Sequence, residues 1–104
     1  MNVKKMFSLF GLAQKAGKIA SGDAQVQKTV KAGQAHLLVI AQDASEATKK
    51  GYNDMASYYQ VPCITALTKV ELGLAVGKGE RAALVLTDKG FSNAVHKEFS
   101  QMGE

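Results

Sequence analysis

Apolar positions along this chain switch repeatedly between helical and strand spacing. Val3, Met6, Phe7 and Phe10 fall at i, i+3, i+4 and i+7, which places them on one face of a helix. Gly17 predicts the end of that helix, because a residue without Cβ accepts the left-handed closing turn. KIAS is then a short strand. Asp23 follows Gly22 and is expected to cap a second helix, with Val26 and Val30 facing inward and Gly33 ending it. HLLVIA is nearly continuous apolar sequence and predicts a central strand buried on both faces. In QDASEATKK, Ser45 is the expected N-cap of a third helix that turns Ala47, Met55, Ala56 and Tyr59 towards the core. Val61-Pro62 marks a break before the strand CITAL. A short helix over KVELGLAV, the loop GKGER and a fourth strand, AALVLT, follow. Asp88 is expected to cap the last helix, where Phe91, Ala94, Val95, Phe99 and Met102 share a face.

The order is α-β-α-β-α-β-α-β-α. Helices that separate strands imply a parallel or mixed sheet covered on both faces. The expected architecture is therefore a three-layer α/β/α sandwich with a four-stranded mixed sheet, as one domain over residues 1–104. Strand order is open at this stage. No repeat or low-complexity segment divides the chain. With 46% hydrophobic and 21% charged residues, it has the composition of a soluble globular protein. The single cysteine, Cys63, excludes an internal disulfide and fits a reducing compartment. The apolar start MNVKKMFSLFGLAQKAGK is interrupted by Gln14 and Lys15, so it is read as a folded helix, neither a membrane span nor a signal peptide. The expected location is the cytoplasm, with no membrane partner.

Charge is distributed unevenly. Residues 1–42 hold six lysines against one acid, a net +5, and residues 43–104 carry a net −1. Lys15, Lys18, Lys28 and Lys31 surround the glycine-rich stretch AGKIASGDAQ. Basic residues at a loop that opens a helix make a phosphate seat, since backbone N–H groups and the positive helix end point the same way. Nucleic acid is the default polyanion for a small basic protein; the alternative is that the lysines only keep the surface soluble.

Catalytic chemistry finds little support. His36, His96 and Cys63 are far apart in sequence and form no ligand cluster, so no metal or cofactor is expected. Cys63 beside a strand reads as a small buried residue, not a nucleophile. No G-x-x-x-x-G-K-[ST] or G-x-G-x-x-G occurs. Asp43 after one strand and Lys69 after the next resemble the placement in phosphoacceptor receiver domains. A receiver also needs a pair of acids after the first strand, where this chain offers Ser21, Gly22 and Asp23. The chain also lacks one strand–helix unit of that fold.

The run LAQKAGKIASGDAQVQKTVKAGQAHLLVIAQDAS, followed by VPCITALTKVELGLAVGKGERAALVLTDKGF, resembles the L7Ae/L30e ribosomal protein family. In length and spacing it is most similar to that family's small bacterial YlxQ-type branch. The resemblance covers nearly the whole chain. It runs through AGK, SG opening a helix, Lys28, A-x-D-A-S, VP and E-L-G-x-A-x-G in that order. It implies the sandwich deduced above, no catalysis, and binding to kink-turn RNA, a helix–bulge–helix bend with sheared G·A pairs. The family's RNA binders open the second helix with G-x-N-E-x-x-K. Here Gly22 and Lys28 are retained, while the Asn corresponds to Ala24 and the Glu to Gln25. Ala24 can neither donate nor accept to a guanine edge; Gln25 keeps reach and one acceptor without the charge. Losing one good base contact costs about 1–3 kcal/mol of discrimination. The family's second contact region corresponds to Lys78, Gly79, Glu80, Arg81 and Ala82, charged here where relatives are often apolar. Lys49 and Lys69 match positions that approach the RNA backbone.

The expected role is thus a monomeric, non-catalytic protein that binds structured RNA, ribosome- or translation-associated. Ser21 and Gly22 give close backbone approach, Ala24 and Gln25 face bases, and Lys28, Lys49, Lys69, Lys78, Gly79 and Arg81 face phosphates. The alternative is a protein-interaction module on the ribosome or transcription machinery with weakened RNA recognition.

Overall fold

A computed structural model describes residues 3–102 of the chain. All nine expected elements form, in the expected order. They are α1 (Val3–Lys15), β1 (Ile19–Ser21), α2 (Asp23–Lys31), β2 (Leu37–Ile40), α3 (Glu46–Tyr59), β3 (Cys63–Thr65), α4 (Lys69–Ala75), β4 (Ala83–Leu86) and α5 (Lys89–Met102).

The sheet runs β1-β4-β2-β3. The β2–β3 pair is parallel, and β4 is antiparallel to both β1 and β2, in register Ser21 with Leu84 and Ile40 with Ala83. All four residues of β2 and of β4 are buried, as central strands covered on both faces require. Helices α1, α4 and α5 pack together on one face, while α2 and α3 cover the other. This is the α/β/α sandwich with a mixed sheet. Met6, Phe10 and Ala13 of α1, Val26 and Val30 of α2, Leu72 of α4 and Val95 of α5 close the core.

Helix ends follow local chemistry. Gly17, at φ +71°, lets Lys18 N–H reach the Ala13 carbonyl at 2.9 Å while its own N–H reaches Gln14 at 3.0 Å, a Schellman closure. Ser45 Oγ accepts from Thr48 N–H at 3.1 Å, and Asp88 accepts from Phe91 N–H at 2.9 Å. Thr68 and Glu71 form a reciprocal capping box on α4. The pattern T-x-x-E in the sequence signals that box.

Several expectations change. Asp23 is the first residue of α2, whose cap is Gly22, and it makes no capping bond. Its carboxylate accepts instead from the Tyr52 hydroxyl. On α3, Met55 is half-buried and Ala56 buried, but Ala47 and Tyr59 are exposed. Tyr52 turns inward instead. Only Cys63–Thr65 of CITAL pair as a strand, since Leu67 turns to φ +63°. Cys63 is half-buried, not buried, and burial raises its thiol pKa, so it is a poor thiolate source. On α5, Phe91, Ala94 and Phe99 are half-buried and Val95 buried; the Met102 side chain falls outside the described residues.

The Tyr52–Asp23 bond ties α3 to the start of α2 across the layer. Burial raises the Tyr52 pKa above its ordinary 10.0, and the bond to Asp23 and its negative charge add to the effect. The neutral phenol is therefore favoured in the fold. Its contribution is complete below pH 10 and is lost as pH rises above that, because the unfolded chain ionises first. We expect Tyr52→Phe to lower stability by about 1–2 kcal/mol, a charge-assisted bond discounted for Asp23's access to water. Urea melts should also show that the variant loses part of the parent's decline in stability between pH 10 and 12. An unchanged midpoint and an unchanged alkaline slope would contradict this.

Candidate nucleic-acid interface

Every strand end that matters for the site lies at one edge of the sheet. Because β1 and β3 run parallel to β2 and β4 runs opposite, the carboxyl ends Ser21, Ile40 and Thr65 meet the start of β4 at Ala83. Ligands gather at the carboxyl ends of strands in α/β sheets. Three segments emerge there: the start of α2, the β2–α3 loop through Asp43, and the loop that links α4 to β4.

Gly22 makes the sharp entry into α2 with φ +89° and ψ 146°, a conformation L residues rarely adopt. A Cβ there would meet nothing within 4 Å, so the demand for glycine is purely conformational. The Gly22 carbonyl starts the helix by accepting from Val26 N–H at 2.9 Å. Ala24, Gln25 and Lys28 are exposed. Ala24 and Lys28 lie at i and i+4 and share the outer face of α2, while Lys31 borders the groove between α2 and α3 with Asp23 and Gln27. Asp23 turns to the side of α3, where Tyr52 holds its carboxylate. The only acid of α2 is thus kept off the face that carries Ala24 and Lys28.

The α4–β4 loop folds back along α4. Lys78 N–H donates to the Gly73 carbonyl at 2.8 Å, and Arg81 N–H donates to the Lys69 carbonyl at 3.1 Å. The loop can lie this close because Gly73 has no side chain: a Cβ there would collide with the carbonyl of Gly79. Arg81 then braces the loop to β1. Its Nε donates to Ser21 Oγ at 3.3 Å, and its Nη1 donates to the Gly79 and Glu80 carbonyls at 3.3 and 3.1 Å. Only the Nη2 end of the guanidinium is left for a ligand among the described residues.

Lys69 opens α4 with its N–H donating to Asp43 at 2.8 Å. Its ammonium lies 3.9 Å from Glu80. Asp43 is therefore an anchor for a helix start, and its oxygen is not placed as a phosphoacceptor beside a free lysine. Among the described residues, no group of three or more His, Cys, Asp or Glu side chains comes together. Lys49 lies in the first turns of α3, 3.8 Å from Glu46.

The structure thus brings Ser21, Gly22, Ala24, Gln25, Lys69, Gly79 and Arg81 to one end of the molecule, with Lys49 and Lys78 on segments emerging from it. Lys28 stands on the same face as Ala24, although α2 is short enough that Lys28 belongs to its last turn. Lys15, Lys18 and Lys31 do not join this group. Lys15 ends α1, Lys18 precedes β1 and Lys31 ends α2, which puts all three at the opposite edge of the sheet. The four lysines do not form one phosphate seat. Gly73 is the positioning residue that sequence reasoning missed, and Asp43, weighed there as a phosphoacceptor, instead caps the start of α4 through the Lys69 amide. E-L-G within a helical pattern was a signal for Gly73, because an internal helix glycine needs a packing reason.

The profile of the ribosomal protein L7Ae/L30e/S12e/Gadd45 family matches residues 4–96. The chain belongs to this family. It is 37% identical to the RNA-binding protein YlxQ of Bacillus subtilis over 89% of this chain and 93% of that one. It is 36% identical to the RNA-binding protein YlxQ of Enterococcus faecium over 88% of this chain and 87% of that one. A solved structure of a protein of unknown function from Bacillus halodurans C superposes with a TM-score of 0.84 at 38% identity, covering 89% of this chain and 94% of that one. The membership is with the bacterial YlxQ-type proteins of a non-catalytic family. Among the described residues, no helix is long and apolar enough to cross a membrane.

The loop geometry makes Gly73 decisive. We expect Gly73→Ala to destabilise the fold by about 1–3 kcal/mol through overpacking against Gly79. The amide resonances of Lys78–Arg81 should shift more than those of α5. An unaltered loop with unchanged stability would show that the Gly73–Gly79 approach is not needed.

Proposed function

We propose that this chain is a non-catalytic protein that binds a structured, kink-turn-like bend in RNA. It acts as a single domain over residues 1–104, as a cytoplasmic monomer associated with the ribosome or translation. The observation that carries this reading is the convergence of three segments at the carboxyl edge of the sheet: the Gly22 entry to α2, Lys69 and the Arg81-braced loop. The RNA-binding names of the bacterial relatives agree with it. Regular A-form RNA closes its major groove to side chains, so a helix end reads bases only where a bulge or bend opens the duplex.

In this reading, the backbone at Ser21 and Gly22 approaches the RNA closely. Gln25 meets a base edge, and Ala24 gives contact without a hydrogen bond. Lys28, Lys49, Lys69 and the outer end of Arg81 neutralise phosphates, with Lys78 and Gly79 in the loop that lies against the RNA backbone. The N-terminal end of α2 adds partial positive charge. An alternative is a protein-interaction module, favoured by Val70 and Leu74. These stand one turn apart on α4 and are 52% and 63% exposed. A gel shift with a kink-turn RNA separates the two readings.

Three outcomes follow from the phosphate-weighted site. Lys28→Ala should weaken binding to a bent RNA by about 1–2 kcal/mol, while Lys97→Ala on α5 does little. Equal losses would mean that diffuse charge, not a site, holds the RNA. Ala24→Asn with Gln25→Glu should sharpen discrimination between a kink-turn and a G·A-disrupted RNA. A parent that already discriminates by about tenfold, or about 1.4 kcal/mol, contradicts the role given to Ala24. Finally, four displaced counterions at Lys28, Lys49, Lys69 and Arg81 give a slope of log K against log[salt] of about −3 to −4. A slope shallower than about −1 would point to base stacking instead.

A further inference from the structure

Each acid of the described residues has a local reason for its position, with one exception. Asp23 and Glu46 stand in the first turns of α2 and α3, where a carboxylate suits the positive helix end. Asp43 accepts from the Lys69 amide, Glu71 completes the capping box of α4, and Asp88 accepts from the Phe91 amide. Asp54 pairs with Lys50 one helical turn away at 2.8 Å, and the buried Glu98 meets Lys5 at 3.1 Å. Glu80 is different. It sits in the α4–β4 loop, away from any helix start. Among the described residues its carboxylate accepts no hydrogen bond, and it pairs only with the Lys69 ammonium, at 3.9 Å. An exposed pair at that distance adds little to stability.

The loop fixes where that charge stands. The Gly79 and Glu80 carbonyls accept from Arg81 Nη1 at 3.3 and 3.1 Å, and Arg81 N–H closes onto the Lys69 carbonyl at 3.1 Å. The backbone is thus held on both sides of Glu80, while its side chain is 62% exposed. Arg81 Nε reaches Ser21 Oγ at 3.3 Å, so the acid stands at the same edge as the entry to α2. Lys69, Arg81 and the positive end of α2 gather there. A carboxylate in that place works against phosphate binding. It occupies the Lys69 ammonium and repels an approaching backbone. A site built for phosphates alone would be stronger without it.

We propose that Glu80 is a specificity-determining residue of the RNA site. It disfavours the continuous phosphate backbone of a regular duplex, and it accepts a hydrogen bond from the N–H edge of an unpaired base at the bend. The inference rests on the functional reading above and deepens it. An ionised carboxylate only accepts hydrogen bonds, and phosphate oxygens have no proton to give it. The Watson–Crick N–H groups of a regular duplex are consumed by pairing, whereas the bases of a bulge splay out and present them. Ribose hydroxyls occur in both forms and do not discriminate. The acid therefore weakens contact with a regular duplex and recovers the loss only where the RNA is opened. Its braced backbone keeps it in place for that contact, and its exposed side chain is free to make it.

The test measures binding of the full chain, at one salt concentration, to two RNAs of equal length, one containing a kink-turn and one fully paired. The parent should prefer the bent RNA. Glu80→Gln keeps the size of the side chain and removes its charge. It should bind the paired RNA more tightly than the parent does without gaining on the bent one, so that the preference falls by about fivefold to tenfold. Asp54→Asn removes the same charge from the middle of α3 and should leave the preference within about twofold of the parent's. Equal gains on both RNAs from Glu80→Gln would mean that net charge alone is felt, and they overturn the proposal. Unchanged affinities overturn it too, and so does an equal loss on both RNAs, which would make Glu80 a support for the loop. In each of these cases the reading of the RNA bend still stands, because the parent's own preference is measured separately. A parent that does not prefer the bent RNA overturns both that reading and this proposal.

Discussion

The loop from Lys78 to Arg81 can lie against α4 only because Gly73 presents hydrogen where any other residue presents carbon. From that contact the rest of the proposed interface follows. The close approach lets Lys78 bond to Gly73 and Arg81 bond to Lys69, which carries the guanidinium to Ser21 at the end of β1. Two segments sixty residues apart are thereby joined beside the entry to α2. Placing β4 antiparallel between β1 and β2 makes this possible, since its start is then level with their carboxyl ends.

The electrostatics have a similar logic. The chain has nine acids for thirteen basic residues, and the described acids are spent on helix starts, ion pairs and one tyrosine. Asp23 is the instructive case. A carboxylate in the first turn of α2 favours the helix dipole, yet it would repel a phosphate arriving at the same end. The Tyr52 hydroxyl resolves that conflict by holding it towards α3, leaving Ala24 and Lys28 on an acid-free face.

Much of this was legible in the residue pattern because it is local. Gly17, Gly33, Ser45 and Asp88 mark helix ends through bonds that span three to five residues, and HLLVIA declares a strand covered on both sides. What was not legible depends on distant parts of the chain. Tyr52 and Tyr59 lie seven residues apart, a similar helical phase, and the one that turns inward is chosen by Asp23, twenty-nine residues away. Lys15, Lys18, Lys28 and Lys31 are close in sequence, yet the course of β1 and α2 sets three of them at the far edge. Arg81 has the composition of a phosphate ligand, but most of its donors are used inside the protein. Strand order depends on pairing between segments, which no spacing within one segment reveals.

The central claim is that the carboxyl edge of the sheet is where RNA is held. It is tested most directly by following backbone amide resonances of the full chain while a kink-turn RNA is added at low salt. The account predicts that the largest changes fall on residues 21–28, 43–49, 69 and 78–81, with α5 nearly silent. Changes centred on α5 or on the exposed pair Tyr58 and Tyr59, or no change at all, would contradict it.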